Sequence, residues 1–283
     1  MADPLDTPFD RRLRRIRRDR ARFADADYLI RAASDELVER LDFVTRKFER
    51  ALEVGSTGGY LAERLRERGM SVVTADTSSA LAGRHGVQAD EDRLPFEPAS
   101  FDLVVSVGVL DSVNDLPGAL LLIRRALRPD GLFLGAFAGA GSLPRLRSAM
   151  MAADSAEGGA SPHIHPQIDV RAAGDLLTRA GFALPVVDSH EVTVRFPNLM
   201  ALVADLRAMA GTNVLASRPR SLGKPGLVAA LTDFADAADP DGKTSERFQI
   251  VHLLGWSPSP DQPQPARRGS ATASLADVLG KRD

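Results

Sequence analysis

Ala51-Leu52-Glu53-Val54-Gly55-Ser56-Thr57-Gly58-Gly59 is a short apolar run that empties into a glycine-rich turn. Beyond it, Leu61 and Leu65 recur at helical spacing, so the stretch reads as strand, turn and helix. Glycine in such a turn lets the backbone pass close to a ligand and adopt positive φ without a Cβ clash. The turn alone is weak evidence, because any tight strand-to-helix connection has uses for glycine. Its weight comes from the acids that follow. Asp76 stands directly after a second apolar run, Ser71–Ala75, where a carboxylate can accept both hydrogen bonds of a ribose diol. Asp90-Glu91-Asp92 follows a short third run, Gly86–Ala89, where an acid can accept from an exocyclic adenine amine.

Further along, Phe101–Val107 is a buried strand, Pro117–Leu127 a helix and Gly131–Ala136 another strand, with a turn at Arg128-Pro129-Asp130-Gly131. Alternation of this kind predicts an α/β fold, a mostly parallel seven-stranded sheet with helices on both faces. All the acids then fall on the carboxyl edge of that sheet, where open α/β folds bind ligands. A dinucleotide would bring a pyrophosphate to the glycine turn. Glu53, two residues before the first glycine, suits a cationic ligand instead. The amino acid moiety and sulfonium of S-adenosylmethionine meet that description. The candidate cofactor-binding residues are therefore Glu53, Gly55, Gly59, Asp76, Asp90 and Glu91.

Outside this stretch the pattern is less regular. Tyr28–Leu41 reads as an amphipathic helix that starts the fold, and Ala138–Ile168, rich in Gly, Ala, Ser and Pro, reads as a lid. Val170–Ala180, Asn198–Ala210 and Leu227–Ala238 read as helices, and Leu184–Arg195 and Phe248–Trp256 as strands. The expected organisation is a basic arm over 1–27 and a domain over 28–256. Inserted or lid segments fall near 138–168 and 196–245, and a Pro-rich tail covers 257–283.

Bulk properties narrow the function. A net charge of −2 over 283 residues gives no electrostatic case for nucleic acid. There is no cysteine, which excludes disulfides, thiolate nucleophiles and cysteine-bound metal centres within the chain and fits a cytoplasmic location. No apolar run approaches the roughly 20 residues that span a bilayer, so stable membrane insertion is not expected. One tract breaks the charge balance, with eight arginines between Arg11 and Arg22. The acids Asp3, Asp6, Asp10 and Asp19 argue against a transit peptide. The expectation for this tract is a solvated basic helix leading into the domain; a face for RNA, lipid or an acidic protein is the alternative.

From Glu53 to Phe137 the chain resembles the class I methyltransferases, with their Rossmann-like fold, of the small-molecule and biotin-synthesis type. Nearly the whole chain is similar to the complex I assembly factor family. The motifs are Phe9-Asp10-Arg11 with its arginine run, Ala89-Asp90-Glu91 and Val113-Asn114-Asp115-Leu116-Pro117. They continue through Ser161-Pro162-His163-Ile164, Arg179-Ala180-Gly181-Phe182 and Phe248-Gln249-Ile250. The resemblance implies that Gly55 and Gly59 shape the methionine pocket, that Asp76 holds the ribose and that Asp90 faces the adenine. It also implies a complex I subunit as partner, since the family's animal member hydroxylates an arginine of one. Two positions depart from the family: Thr57 stands where a glycine is usual, and Asp111-Ser112 where a His-Trp pair is common.

Methyl transfer from a sulfonium needs chiefly an aligned nucleophile, with a base only where a proton must leave. The candidate catalytic residues are Asp111, just beyond the fourth strand, and His163 in Pro162-His163-Ile164-His165-Pro166. A helix cap or turn carboxylate is the plain reading of Asp111, and a structural hydrogen bond that of His163. Two histidines with Asp169 make a poor facial triad, so no metal is assigned. His85, His190 and His252 read as isolated. Three functions follow: an S-adenosylmethionine-dependent methyltransferase-type enzyme first, a protein-arginine hydroxylase second, and a non-catalytic assembly chaperone third.

Overall fold

Strands β1 (Arg50–Val54), β2 (Ser71–Asp76), β3 (Val87–Gln88), β4 (Phe101–Val107) and β5 (Leu127–Ala138) run parallel. With β6 (Ala183–Phe196) and β7 (Thr244–Trp256) they form one sheet in the order β3-β2-β1-β4-β5-β7-β6. β7 is antiparallel to both its neighbours, with Leu132 opposite Trp256 and Ala138 opposite Ile250. The computed structural model describes residues 7–217 and 220–262. The order reverses between β1 and β4, which creates the crevice where ligands of such sheets bind.

Both faces of the sheet are covered, and side-chain alternation assigns each residue to one core. Leu103, Val105, Leu132 and Leu134 face helices α2 (Tyr28–Asp42), α3 (Tyr60–Glu67), α6 (Pro144–Glu157), α8 (Leu199–Ala208) and α9 (Lys224–Asp236). Leu52, Val104 and Phe133 face α5 (Leu116–Ala126) and α7 (Val170–Arg179). Helix α1 (Arg11–Asp19) and the single-turn α4 (Ser79–Ala82) lie at the carboxyl edge.

The elements differ from the sequence expectation in three places. Helix α6 occupies the stretch expected as an irregular lid. Its alanines Ala149 and Ala153 are fully buried beside Ala230 of α9, and small residues of that kind pack helices closely while leaving no apolar stripe to read. Arg128-Pro129-Asp130-Gly131, expected as a turn, is absorbed into β5 as an irregularity, with Asp130 at φ +61°. The arginine tract is not a solvated helix. Asp10 caps α1 by accepting from the Leu13 N–H, and Arg14 and Arg18 are only 6% and 5% exposed. Both ends of the arm are pinned, one to the last residue of α8 and one to the segment after it. Asp10 N–H donates to the Val214 carbonyl, and Arg22 N–H to that of Ala208. No helix among the described residues is long and apolar enough to cross a membrane. Of the Pro-rich tail, residues 263–283 lie outside those described.

Candidate active site

The turn after β1 is built from within. Gly55, Gly58 and Gly59 adopt φ of +79°, +73° and +98°. A Cβ on Gly55 would lie 2.3 Å from Val109, so glycine is needed there for space as well as for φ. Glu53 is fully buried, and its Oε1 accepts from the backbone N–H and hydroxyl of Thr57, both at 3.0 Å. Burial pushes the Glu53 carboxyl up, against the pull of the Thr57 hydrogen bonds. The Thr57 hydroxyl in turn accepts from Leu61 N–H at the start of α3. Glu53 and Thr57 thus brace the turn, and the Glu53 oxygen expected to face a cationic ligand is bonded to Thr57. The sequence did not disclose this pairing, because it depends on both side chains turning inward.

The acids at the ends of β2 and β3 come together as expected, but arginines from α1 already meet them. Asp76 accepts from Arg18 Nε at 3.1 Å on each oxygen and from Nη2 at 2.6 Å, and also from the N–H groups of Ser56 and Ser78 at 2.8 Å. Arg18 Nη2 donates as well to the Ser56 carbonyl at 2.7 Å. Glu91 receives a forked pair from Arg14, at 2.6 and 2.9 Å. Burial works against the Arg14 charge, yet Glu91 beside it outweighs burial and holds the guanidinium above its ordinary pKa. Arg11 bonds Asp92 and lies 3.2 Å from Asp90. Burial alone would raise Asp92, but Arg11 holds it below the carboxylate range.

Residues 11, 14 and 18 share one face of a helix, and that spacing is the sequence signal for this contact. It becomes legible only once the facing acids are known.

The other half of the edge is hollow. A cavity of about 290 Å³ opens beyond β4 and β5, walled by apolar side chains of α2, α6 and α8 such as Ile30, Leu146 and Leu206. Asp111, half-buried, lines it, and burial pushes its carboxyl up against the opposing pull of His165 and Arg14. His163 also lines the cavity, but its Nε2 is bonded to Asp154 of α6 at 2.8 Å, which ties the lid to that helix. His165, weighed in the sequence only as the second histidine of a poor metal pair, accepts from Val214 N–H at 2.9 Å and packs edge-on against Phe9. An accepting Nε2 makes this ring the neutral Nδ1–H tautomer, in keeping with the downward push of burial on its pKa. Gly55, Gly59, Asp76, Asp90 and Glu91 do not line the cavity.

Among the remaining histidines, the expectation of isolation fails for His190 and His252. Their rings stack at 5.1 Å and share a 3.2 Å hydrogen bond across β6 and β7. Asp169 caps α7 and accepts from Ala172 N–H.

A glycine turn after β1, acids at the ends of β2 and β3, and an antiparallel β7 inserted beside β5 define the class I methyltransferase fold. The chain belongs to the methyltransferase-domain family, whose model matches residues 16–185. The cofactor of this class is S-adenosyl-L-methionine. Within the family the similarity reaches almost end to end. The mitochondrial arginine-hydroxylase NDUFAF5 of Danio rerio is 36% identical over 290 residues, covering 96% of this chain and 90% of that protein. A malonyl-[acyl-carrier protein] O-methyltransferase of Halorhodospira halophila is 31% identical over 250 residues, covering 83% of each. Among solved structures, the YcgJ protein of Bacillus subtilis matches with a TM-score of 0.56 at 13% identity, over 81% of this chain and 99% of that one. That likeness is one of fold.

The residues present fit an adenosyl cofactor in kind: glycines at positive φ under the turn, and buried carboxylates at the two strand ends. Arginines of α1 already bond Asp76, Glu91 and Asp92.

Proposed function

We propose that this chain is an S-adenosylmethionine-dependent enzyme of methyltransferase type that acts on an arginine side chain of a partner protein, a respiratory complex I subunit. The observation that carries this reading is Asp111, the one carboxyl in a largely apolar cavity that it shares with His163, His165 and Gln167, beside the cofactor half of the edge. Apolar walls suit the aliphatic stem of an arginine, and a carboxylate suits its guanidinium. In this reading Gly55 and Gly59 make room for the methionine portion, Asp76 takes the ribose, and Asp90 and Glu91 the adenine. Glu53 supports them through the turn. When bound, the cofactor supplies an electrophilic methyl group. Asp111 orients the acceptor, and its raised proton affinity suits it to take a proton from a nucleophile that must lose one. His163 and His165 close the cavity from the lid. The catalytic domain in this reading is 28–256, with 1–27 as the basic arm that carries α1.

A second reading keeps the substrate and changes the chemistry. The relatives at 36% identity are named as arginine-hydroxylases, and one fold hosts more than one reaction. Mass spectrometry of complex I subunits from wild-type and deletion strains separates the two. A methyl increment on an arginine, lost in the deletion strain, supports transfer, and an oxygen increment supports hydroxylation. Unchanged arginines in both strains would sink both. Asp111→Asn is expected to lower the modification rate about 10²-fold or more, the scale of a lost acid–base group. Assembly of complex I that persists undiminished without any modification would favour the chaperone role.

A further inference from the structure

We propose that helix α1 is an internal occupant of the nucleoside seat, so that the adenosyl cofactor and the arginine helix exclude one another. This rests on the cofactor reading above and goes beyond it. An ionised carboxylate offers about four lone-pair positions. Asp76 has spent them: its two oxygens take Arg18 Nε and Nη2 together with the N–H groups of Ser56 and Ser78. A ribose diol must donate to those same oxygens, so it enters only where Arg18 leaves. Glu91 is less fully occupied, but each of its oxygens already takes one arm of the Arg14 fork. The match is continuous along the helix, for Arg11, Arg14 and Arg18 meet Asp92, Glu91 and Asp76 in order.

The seat is a deep one. The Arg18 and Asp76 side chains are 6% and 0% exposed. A buried ion pair is strongly disfavoured when one partner departs alone, so partial opening is costly and the helix leaves as a unit. Its ends remain tethered through Phe9, which bridges Leu215, and through Arg22 on Ala208.

Two measurements on the full chain decide the matter. The first titrates S-adenosylhomocysteine calorimetrically into wild type and into Arg14→Ala/Arg18→Ala. A seat filled most of the time lowers apparent affinity by the open fraction, so the double variant is expected to bind about ten-fold tighter or more. The second uses unaltered protein, so it survives any misfolding of the variant. Trypsin cleavage within Arg11–Arg22 is timed with and without saturating S-adenosylhomocysteine, and cleavage is expected to accelerate with ligand. Wild-type binding that protects the arm, or a folded double variant that binds no tighter, overturns the proposal while leaving the cofactor reading intact. Binding by neither chain overturns the cofactor reading, and the proposal with it.

Discussion

The two halves of the carboxyl edge solve the burial of charge in opposite ways. Over β2 and β3 the acids are numerous, and arginines of α1 answer Asp76, Glu91 and Asp92 in turn. Over β4 and β5 a single carboxyl, Asp111, faces a largely apolar hollow that His163 and His165 also line, and no hydrogen-bonded cation closes on it among the described contacts. The first arrangement is held by pairing, so breaking a pair leaves a charge stranded. The second holds a carboxyl whose proton affinity burial raises. A site that must bind and release one ligand while receiving another has use for both.

The largest expected difference tests the filled half. Asp76→Ala strands Arg18 in a buried position and should lower stability by about 3–5 kcal/mol in urea denaturation. Adding Arg18→Ala should recover much of that loss. Equal losses in the single and double variants would show that Asp76 acts through Ser56 and Ser78 instead of through the arginine.

A smaller difference compares two glycines. Gly55 and Gly108 have similar φ, +79° and +71°, but only Gly55 is crowded, with Val109 2.3 Å from the position of a Cβ. Gly55→Ala should therefore cost about 1–3 kcal/mol more than Gly108→Ala, the usual scale of overpacking. Equal melting points for the two variants would mean that the turn and Val109 relax together.

The smallest effect belongs to Asp111 and has the opposite sign. Burial raises its pKa above the ordinary 3.8, so the folded chain holds this proton to higher pH than the unfolded chain does. The group's contribution is thus most favourable in acid and declines as pH rises from that ordinary value through the raised one. Asp111→Asn should match wild type at low pH and exceed it at pH 7 by urea midpoint. A variant less stable at pH 7 would mean that Asp111 is a pairing group after all, and the contrast between the halves would fail.

Much of this was legible in the chain. The turn at 55–59, the acids at 76 and 90–92 and the buried strand at 101–107 are local patterns, and each sits where its spacing put it. Helix α6 escaped because its buried face is made of alanine, which carries little periodic signal. The arm misled for a different reason. A run of arginines is normally solvated, because burying guanidinium groups is unfavourable unless each meets an acid.

Sequence by itself determined the class: the alternation of strands and helices gives a mostly parallel sheet, and the glycines and acids fall near its strand ends. Only the tertiary structure decided which charges meet. Arg18 and Asp76 are 58 residues apart, as Arg14 and Glu91 are 77 apart, and no local spacing encodes such pairs. They arise because the sheet brings the ends of β2 and β3 to one edge, and the end of α8 with the segment after it pins a helix across that edge. The energy of a buried ion pair belongs to that juxtaposition, not to either residue alone.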